Sequence, residues 1–302
     1  MITTLSFACP ACKTLPVNSF AANENLYAEP TTVRNPDGSS TVRVATFNTK
    51  NCDNGRNIVE IAAEIKKQNA QIVFLQELDS GVKRSGKQNL LKQLSELLEM
   101  NYAFFPAMAL EGGSYGVGIL SRFYIQSTES FLLDTKQEEP RVLAKAEVSI
   151  NGRNVDLYNT HLSFESETLR IAQLKLINEK TTVSTLFILG GDFNAKNFEE
   201  YSVIQNSVTV NSPKNQFITY RDAGEGSFGC IDNLLLANAF VVLNAWMAES
   251  AASDHNLLVA EIRVPAPGED VSRETSTNSV GEAGETTGEE TSGQNTTQQK
   301  GV

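Results

Sequence analysis

The sequence predicts an α/β domain of two β-sheets packed face to face with helices outside. Three observations carry that reading. Short β-rich runs recur along most of the chain. Two of them, at 72–77 (IVFLQE) and 185–189 (TLFIL), are apolar enough to be strands buried on both faces. Stretches of helical period fall between the runs, and an Asn151-Gly152 pair joins two of them as a hairpin turn would.

The elements follow in order. The segment 41–47 (TVRVATF) is β-rich and alternating, and the polar run from Asn48 to Gly55 ends it. Ile58, Ile61, Ala62 and Ile65 recur at i, i+3, i+4 and i+7, which predicts an amphipathic helix over 55–68 with Asp53 or Asn54 as its N-cap. The buried strand 72–77 comes next, then a leucine-rich helix at about 87–99. Strands are expected at 102–105, 115–120, 142–149 and 155–161, a helix at about 168–180, and a strand at 185–189 that breaks at Gly190-Gly191. Strands 231–236, 240–245 and 257–264 close the domain, with the sole tryptophan, Trp246, read as core.

Composition sets the boundaries. Residues 265–302 are rich in Gly, Ser, Thr, Gln and Glu, and their few Val and Ala are too little to offset the entropy of ordering, so a disordered acidic low-complexity tail is expected there. Residues 1–40 are expected to form an N-terminal leader or linker, which leaves 41–264 as one domain. The net charge is −11, of which the tail carries −5, the N-terminal segment −1 and the domain −5. That balance disfavours a basic nucleic-acid reader working by counterion release. It is compatible with an enzyme that screens phosphate with a metal.

Four cysteines are too few for a disulfide scaffold, and Cys9-x-x-Cys12 lacks a second pair or a nearby histidine. No apolar run reaches the roughly 20 residues of a membrane span. Met1–Ala22 has no Lys or Arg ahead of its apolar stretch, a poor match to a secretory signal. The compartment stays open, and the Asn295-Thr296-Thr297 sequon is too common to decide it.

Strand ends hold the chemistry. Asn48, Glu77 and His161 each follow a predicted strand, Asp192 and Asn194 follow another, Asp232 opens one, and Asp254-His255 precedes the last. Functional groups converge where strand ends share one edge of a sheet. The chain has only two histidines, and both stand at such junctions. A set of Glu, Asp and Asn oxygens suits a hard cation such as Mg²⁺. Any one of these acids alone reads as ordinary turn or cap chemistry; the ordered set does not.

In order, TFN (46–48), LQE (75–77), YGVGILSR (115–122), NTHL (159–162), GGDFNA (190–195), IDNLLL (231–236) and SDHNLL (253–258) resemble the signature series of the endonuclease/exonuclease/phosphatase superfamily, the deoxyribonuclease I-like fold. The match spans about residues 41–264. It implies a four-layer α/β sandwich, two packed mixed β-sheets flanked by helices, with a divalent-metal phosphoesterase site on one edge. By the same resemblance Glu77 is the principal metal ligand, with Asn48 and Asp254 on the metal side. Asp192 and Asn194 orient the attacking water and hold the phosphate. His255 contacts the scissile phosphate, Asp232 hydrogen-bonds that imidazole, and His161 is a second phosphate-edge histidine. Arg141 falls where many members carry an arginine before a strand, and is expected to contact phosphate or to form a surface ion pair.

Two departures stand out. Cys230 replaces the basic residue that often precedes the ID motif, and Asn256-Leu257 replaces an apolar-Pro pair. The expected cofactor is Mg²⁺, with Mn²⁺ or Ca²⁺ as alternatives. Three readings follow: a metal-dependent phosphoesterase acting on a small or lipid-linked ester, an endonuclease using the same residues, and a non-catalytic binding protein on the fold. The basic loop Lys83, Arg84, Lys87 speaks for nucleic acid or for mere solvation. The segment 104–113 (FFPAMALEGG) is the only candidate for an exposed lipid-facing hairpin. Oligomeric state is not legible.

Overall fold

A computed structural model of the protein describes residues 22–29, 33–224 and 226–271. The low-complexity stretch beyond Val271, residues 1–21 of the N-terminal segment with the Cys9/Cys12 pair, and the sequon lie outside the described residues. Two mixed sheets form the body. The first has seven strands: β1 (Ala22–Glu24), β2 (Ser40–Asn48), β3 (Ile72–Ser80), β4 (Asn101–Leu110), β5 (Gly113–Ser121), β12 (Val241–Ala248) and β13 (Leu257–Val264), ordered β1-β4-β5-β3-β2-β13-β12. The second has six: β6 (Ile125–Leu133), β7 (Arg141–Ile150), β8 (Arg153–His161), β9 (Phe187–Asp192), β10 (Ser207–Thr209) and β11 (Asp232–Ala237), ordered β10-β11-β9-β8-β7-β6.

One apolar core lies between the sheets, where Val44, Ile72, Phe74 and Ile119 of the first meet Leu143, Leu157, Ile188 and Leu235 of the second. On the outer face of the first sheet, the helices α2 (Ile58–Gln68) and α3 (Leu90–Leu98) bury Ile61, Ile65, Leu91 and Leu94 against Val73 and Leu75. On the second sheet's side, α4 (Glu167–Thr181) contributes Leu174 and Ile177 to the main core. This is the expected four-layer sandwich.

Each sheet contains one parallel pair bridged by a helix: β2–α2–β3 in the first and β8–α4–β9 in the second. Parallel strands end at the same edge, so the two units bring the carboxyl ends of four strands to one rim. Asn48, His161 and Asp192 end their strands there, and Glu77 lies beside Asn48, inside β3, which runs on to Ser80.

Several expectations are corrected. The helix predicted from residue 55 starts at Ile58, because residues 50–55 all take left-handed backbone, including the single turn α1 (Cys52–Gly55). Its N-cap is therefore Asn57, without a side-chain cap bond, while the Asn51 side chain caps Asn54 instead. Strands β1, β6 and β10 were absent from the pattern reading: β1 and β10 are three residues each, and β6 is a largely exposed edge strand. Trp246 sits on edge strand β12, half-buried, with its indole N–H donated to Gln68 (3.0 Å) and Arg43 over its ring. The segment 104–113 is not an exposed hairpin: Phe104, Phe105, Ala107 and Met108 are buried in β4.

Packing extends past both expected domain limits. Ala22–Glu24 pairs with β4, and Arg263 binds Glu269 while Arg153 donates to the Ala266 carbonyl (2.9 Å). No helix among the described residues is long and apolar enough to cross a membrane.

Candidate active site

The rim is assembled by register. Along the second sheet His161 pairs across from Asp192, and Asp192 from Asp232, so three functional side chains stand side by side on β8, β9 and β11. Gly190 lets β9 lie against the first sheet, since a Cβ there would sit 2.3 Å from the Phe74 ring. On the first sheet, the β3–β5 pairing shifts between Leu75 and Leu78, and Glu77 takes a left-handed φ of 58°. For a non-glycine residue that costs roughly 1–2 kcal/mol. The bulge turns the Glu77 carboxylate toward the cleft. Below it, the Gln76 amide donates to Asn159 (2.7 Å), and the Asn159 amide donates to the Leu75 and Gly118 carbonyls, a polar tie between the two sheets.

The side chains converge. The Asn48 amide donates to Glu77 Oε1 and to Asp192 Oδ2, both at 3.0 Å, and so bridges the two sheets' carboxylates. Asp192 Oδ1 accepts the Asn194 backbone N–H (2.9 Å). His161 Nε2 lies 3.5 Å from Asp192 Oδ2, and His255 Nε2 lies 3.8 Å from the same oxygen. His255 Nδ1 is 2.8 Å from Asp232 Oδ2, while Asp232 Oδ1 is buried with no partner. Asn194, at a left-handed φ of 49°, donates through its amide to the Leu162 carbonyl (3.0 Å). Asp254 lies on the same cleft with its Oδ2 held by Lys50 Nζ at 2.7 Å.

Burial drives the titration of this cluster. Loss of water raises Glu77 above its ordinary value, with the Asn48 hydrogen bond opposing. Burial, reinforced by the Asp232 charge, lifts Asp192 to about 7. For His255 burial acts downward, but the charges of Asp232, Asp192 and Asp254 and the Asp232 hydrogen bond outweigh it and bring the imidazole up to about 10. Burial, then the nearby Arg141 and His255, push His161 well below its usual range. At neutral pH the two histidines therefore differ: His255 carries a proton on each nitrogen, and His161 is neutral.

Arg141 is 3 % exposed, paired with Glu139 at 2.8 Å, and its Nε is buried without a partner. Of the two expectations for it, the surface ion pair is corrected: the pair it forms is buried, on the cleft wall. Cys230 is buried and does not line the cleft, so it packs. Asn256 ties its loop down, with its N–H donated to the Thr219 carbonyl and its Oδ1 accepting from Ser250. Of the basic loop, Lys83 and Lys87 are exposed, and Arg84 turns onto the buried Asp79 at 2.9 and 2.8 Å.

Pattern reading missed two supports. Arg170 of α4 and Glu200 form a fully buried bidentate pair (2.7 and 2.9 Å). Arg170 also donates to the Ser163 carbonyl, and Glu200 accepts the Lys196 N–H, so the pair holds the segments that follow His161 and Asp192. An arginine in a helix has no signature that separates a buried partner from a surface charge; only the fold reveals it.

The cleft has a volume of about 630 Å³ and is walled by Glu77, Asp192, His255, Arg141, Tyr220 and Phe164 among others. Paired carboxylates, a protonated imidazole and a buried arginine around one cavity define a hydrolase of phosphate esters. Residues 45–255 match the model of the Endonuclease/Exonuclease/phosphatase family, and the chain belongs to that family. Its members are phosphoesterase hydrolases, and the binding-protein reading is set aside.

Solved structures agree on the fold. An endonuclease/exonuclease/phosphatase from Beutenbergia cavernae DSM 12333 is 19 % identical, with TM-score 0.61 over 74 % of this chain and 72 % of that one. The mannosyl-6-phosphatase of Bacteroides thetaiotaomicron is 18 % identical, TM-score 0.57, over 73 % and 99 %. TDP2 from C. elegans is 21 % identical, TM-score 0.58, over 74 % and 75 %. No curated protein matches the chain in sequence.

Proposed function

We propose that the protein is a Mg²⁺-dependent phosphoesterase of small or lipid-linked phosphate esters, working by in-line attack of water. One observation carries this: Asn48 links Glu77 to Asp192, and the Asp232–His255 pair stands across the same Asp192 oxygen, so a cation, a water and a phosphate each have a matching partner.

The cation belongs with Glu77. Asp192, Asp232 and His255 form the tightest ligand-like group, with donor atoms within 4.8 Å. A doubly protonated His255 repels a cation, however, and its Nδ1 is engaged on Asp232. Glu77 instead faces the cleft with one amide donor and no cationic partner among the described residues, a set that suits a hard ion. Glu77 would hold it, joined by Asn48 through Oδ1, which here accepts the Lys50 backbone N–H (3.0 Å), and by Asp254 once Lys50 releases that carboxylate. A bound divalent ion supplies charge screening for the phosphoryl oxygens and for the leaving alkoxide. Mn²⁺ or Ca²⁺ are alternative occupants.

The remaining work falls to the chain. Asp192 accepts the proton of the attacking water. The His255 imidazolium, with Asp232 on its far nitrogen, donates to a phosphoryl oxygen, and neutral His161 borders the same oxygen set. The second N–H of the Asn194 amide and the Arg141 guanidinium complete the phosphate contacts.

Charge favours a small substrate over a nucleic acid strand. Glu139, Asp222 and Asp254 line the cleft beside Arg84, Arg141 and Lys196, so an extended polyanion would meet acids on its path. The volume fits a single small ligand. The test is turnover of an activated phosphodiester with Mg²⁺, and loss of about 10³-fold in Asp192→Ala and His255→Ala. Plasmid nicking by the parent, with no turnover of inositol phosphates or phospholipids, would replace this reading with the endonuclease.

A further inference from the structure

We propose that the cleft contains a second anion subsite, formed by Arg84 and the Tyr115 hydroxyl, and that the substrate is a phosphate ester carrying a second phosphate. The inference rests on the phosphoesterase reading of the same cleft and specifies its substrate.

Arg84 is anchored from behind. Asp79 is fully buried, and both its oxygens are taken by Nε and Nη2 of Arg84. A third of the Arg84 side chain remains exposed, and the residue lines the cleft. Its Nη1 makes no hydrogen bond among the described residues. The guanidinium lies over the Tyr115 ring, 5.4 Å from the centroid, which leaves its edge open to an in-plane acceptor. A carboxylate on one edge thus fixes the direction of the other. An arginine held this way loses little rotamer freedom on binding an anion.

Tyr115 supports the same site. Its ring is buried in β5, its residue lines the cleft, and its hydroxyl makes no hydrogen bond among the described residues. That hydroxyl feels the carboxylates of Glu77 and Glu139 first and the guanidinium groups of Arg141 and Arg84 after them, so a cation on Glu77 and the Arg141 pair on Glu139 are what leave the arginines to face an anion. Arg141 lines the same cavity with its side chain 3 % exposed, and its buried Nε has no hydrogen-bond partner. Glu139, the acid that an anion would meet here, is already paired with Arg141 at 2.8 Å. The phosphate beside Asp192 and His255 uses Arg141, and a second phosphate on the alcohol part reaches Arg84 and Tyr115. Lys83 and Lys87, which a longer polyanion would need, are exposed to solvent.

The experiment measures Mg²⁺-supported product release on two matched pairs: glucose 6-phosphate against glucose 1,6-bisphosphate, and thymidine 5′-(4-nitrophenyl phosphate) without and with a 3′-phosphate. We expect kcat/KM to be about tenfold higher for the two-phosphate member of a pair, expressed in KM, as one charge-assisted contact gives. In Arg84→Gln that ratio should fall to about one. Because this variant leaves Asp79 buried without a partner, Tyr115→Phe, which keeps the ring under Arg84, is the second variant; its ratio should fall about threefold at unchanged melting temperature. A response in the glucose pair supports a small bisphosphate, and a response confined to the thymidine pair supports the neighbouring phosphate of a nucleotide. A parental ratio near one, or a ratio that neither variant alters, overturns the subsite and leaves the phosphoesterase standing. A parent inert on all four substrates overturns both readings.

Discussion

Two buried charge clusters lie on either side of the same loops. Behind them, Arg170 and Glu200 satisfy each other in a bidentate pair, and the spare capacity of each goes to a backbone group. In front, Glu77 has a single amide donor, Asp192 sits beside another carboxylate, Asp232 keeps an oxygen without a partner, and Arg141 keeps a nitrogen without one. Both clusters carry the desolvation cost of buried charge. The front one is compensated only in part, by the His255–Asp232 and Arg141–Glu139 pairs, and the rear one in full. The difference separates a structural ion pair from a site that waits for a cation and a phosphate to complete it.

The comparison can be broken most forcefully at the rear pair. Arg170→Met should lower stability by about 3–5 kcal/mol, because Glu200 is left as an uncompensated buried charge, whereas Arg170→Met with Glu200→Leu should recover most of that loss. Denaturant unfolding measures both. A silent single variant would show that the rear pair is not compensated charge at all.

The front cluster should instead reveal itself in pH. Asp192, with a folded-state value of about 7 against an ordinary 3.8, holds its proton longer when folded; its contribution to stability is present below about 4 and is lost as pH rises toward 7. His255, raised from 6.5 to about 10, contributes fully below 6.5 and loses that contribution as pH rises through about 10. The stability of the metal-free protein should therefore fall between pH 4 and 7 by up to about 1.4 kcal/mol per pH unit, and Asp192→Asn should flatten that slope. An unchanged slope in Asp192→Asn would place the titration elsewhere.

The smallest effect is the most diagnostic in sign. Glu77→Gln removes an uncompensated charge, so the metal-free protein should melt about 2–4 °C higher, equivalent to about 1 kcal/mol. Its Mg²⁺ affinity, measured by calorimetry, should fall. A lower melting temperature in the absence of metal would mean that Glu77 is already satisfied and the contrast between the clusters is wrong.

Much of this architecture is legible in the chain. The apolar runs at 72–77 and 185–189, the helical periods between strands and the Asn151-Gly152 turn predict two sheets with outer helices, and each appears within a few residues of its expected place. The strands that pattern reading missed are two three-residue strands and an exposed edge, where no buried face imposes a period. The rim residues are also legible, because a functional group that follows a buried strand has few other reasons to be there.

Partnership is what periodicity does not encode. Nothing in the composition of α4 distinguishes Arg170 from an exposed arginine, and nothing around 83–87 says that Arg84 is the one of its three basic residues that pairs with the buried Asp79. The left-handed φ at Glu77 arises from a register shift between β3 and β5, a property of two strands and of neither alone.

The sequence by itself determined the two-sheet α/β class, the order of the strand-end residues and the phosphoesterase chemistry they resemble, since burial and strand termination are local consequences of residue type. Only the tertiary structure decided which charges are compensated, that His255 is protonated while His161 is neutral, and that Arg84 and Tyr115 face the cleft. Those outcomes depend on distances between segments far apart in the chain, and electrostatic energy follows distance and burial rather than order along the sequence.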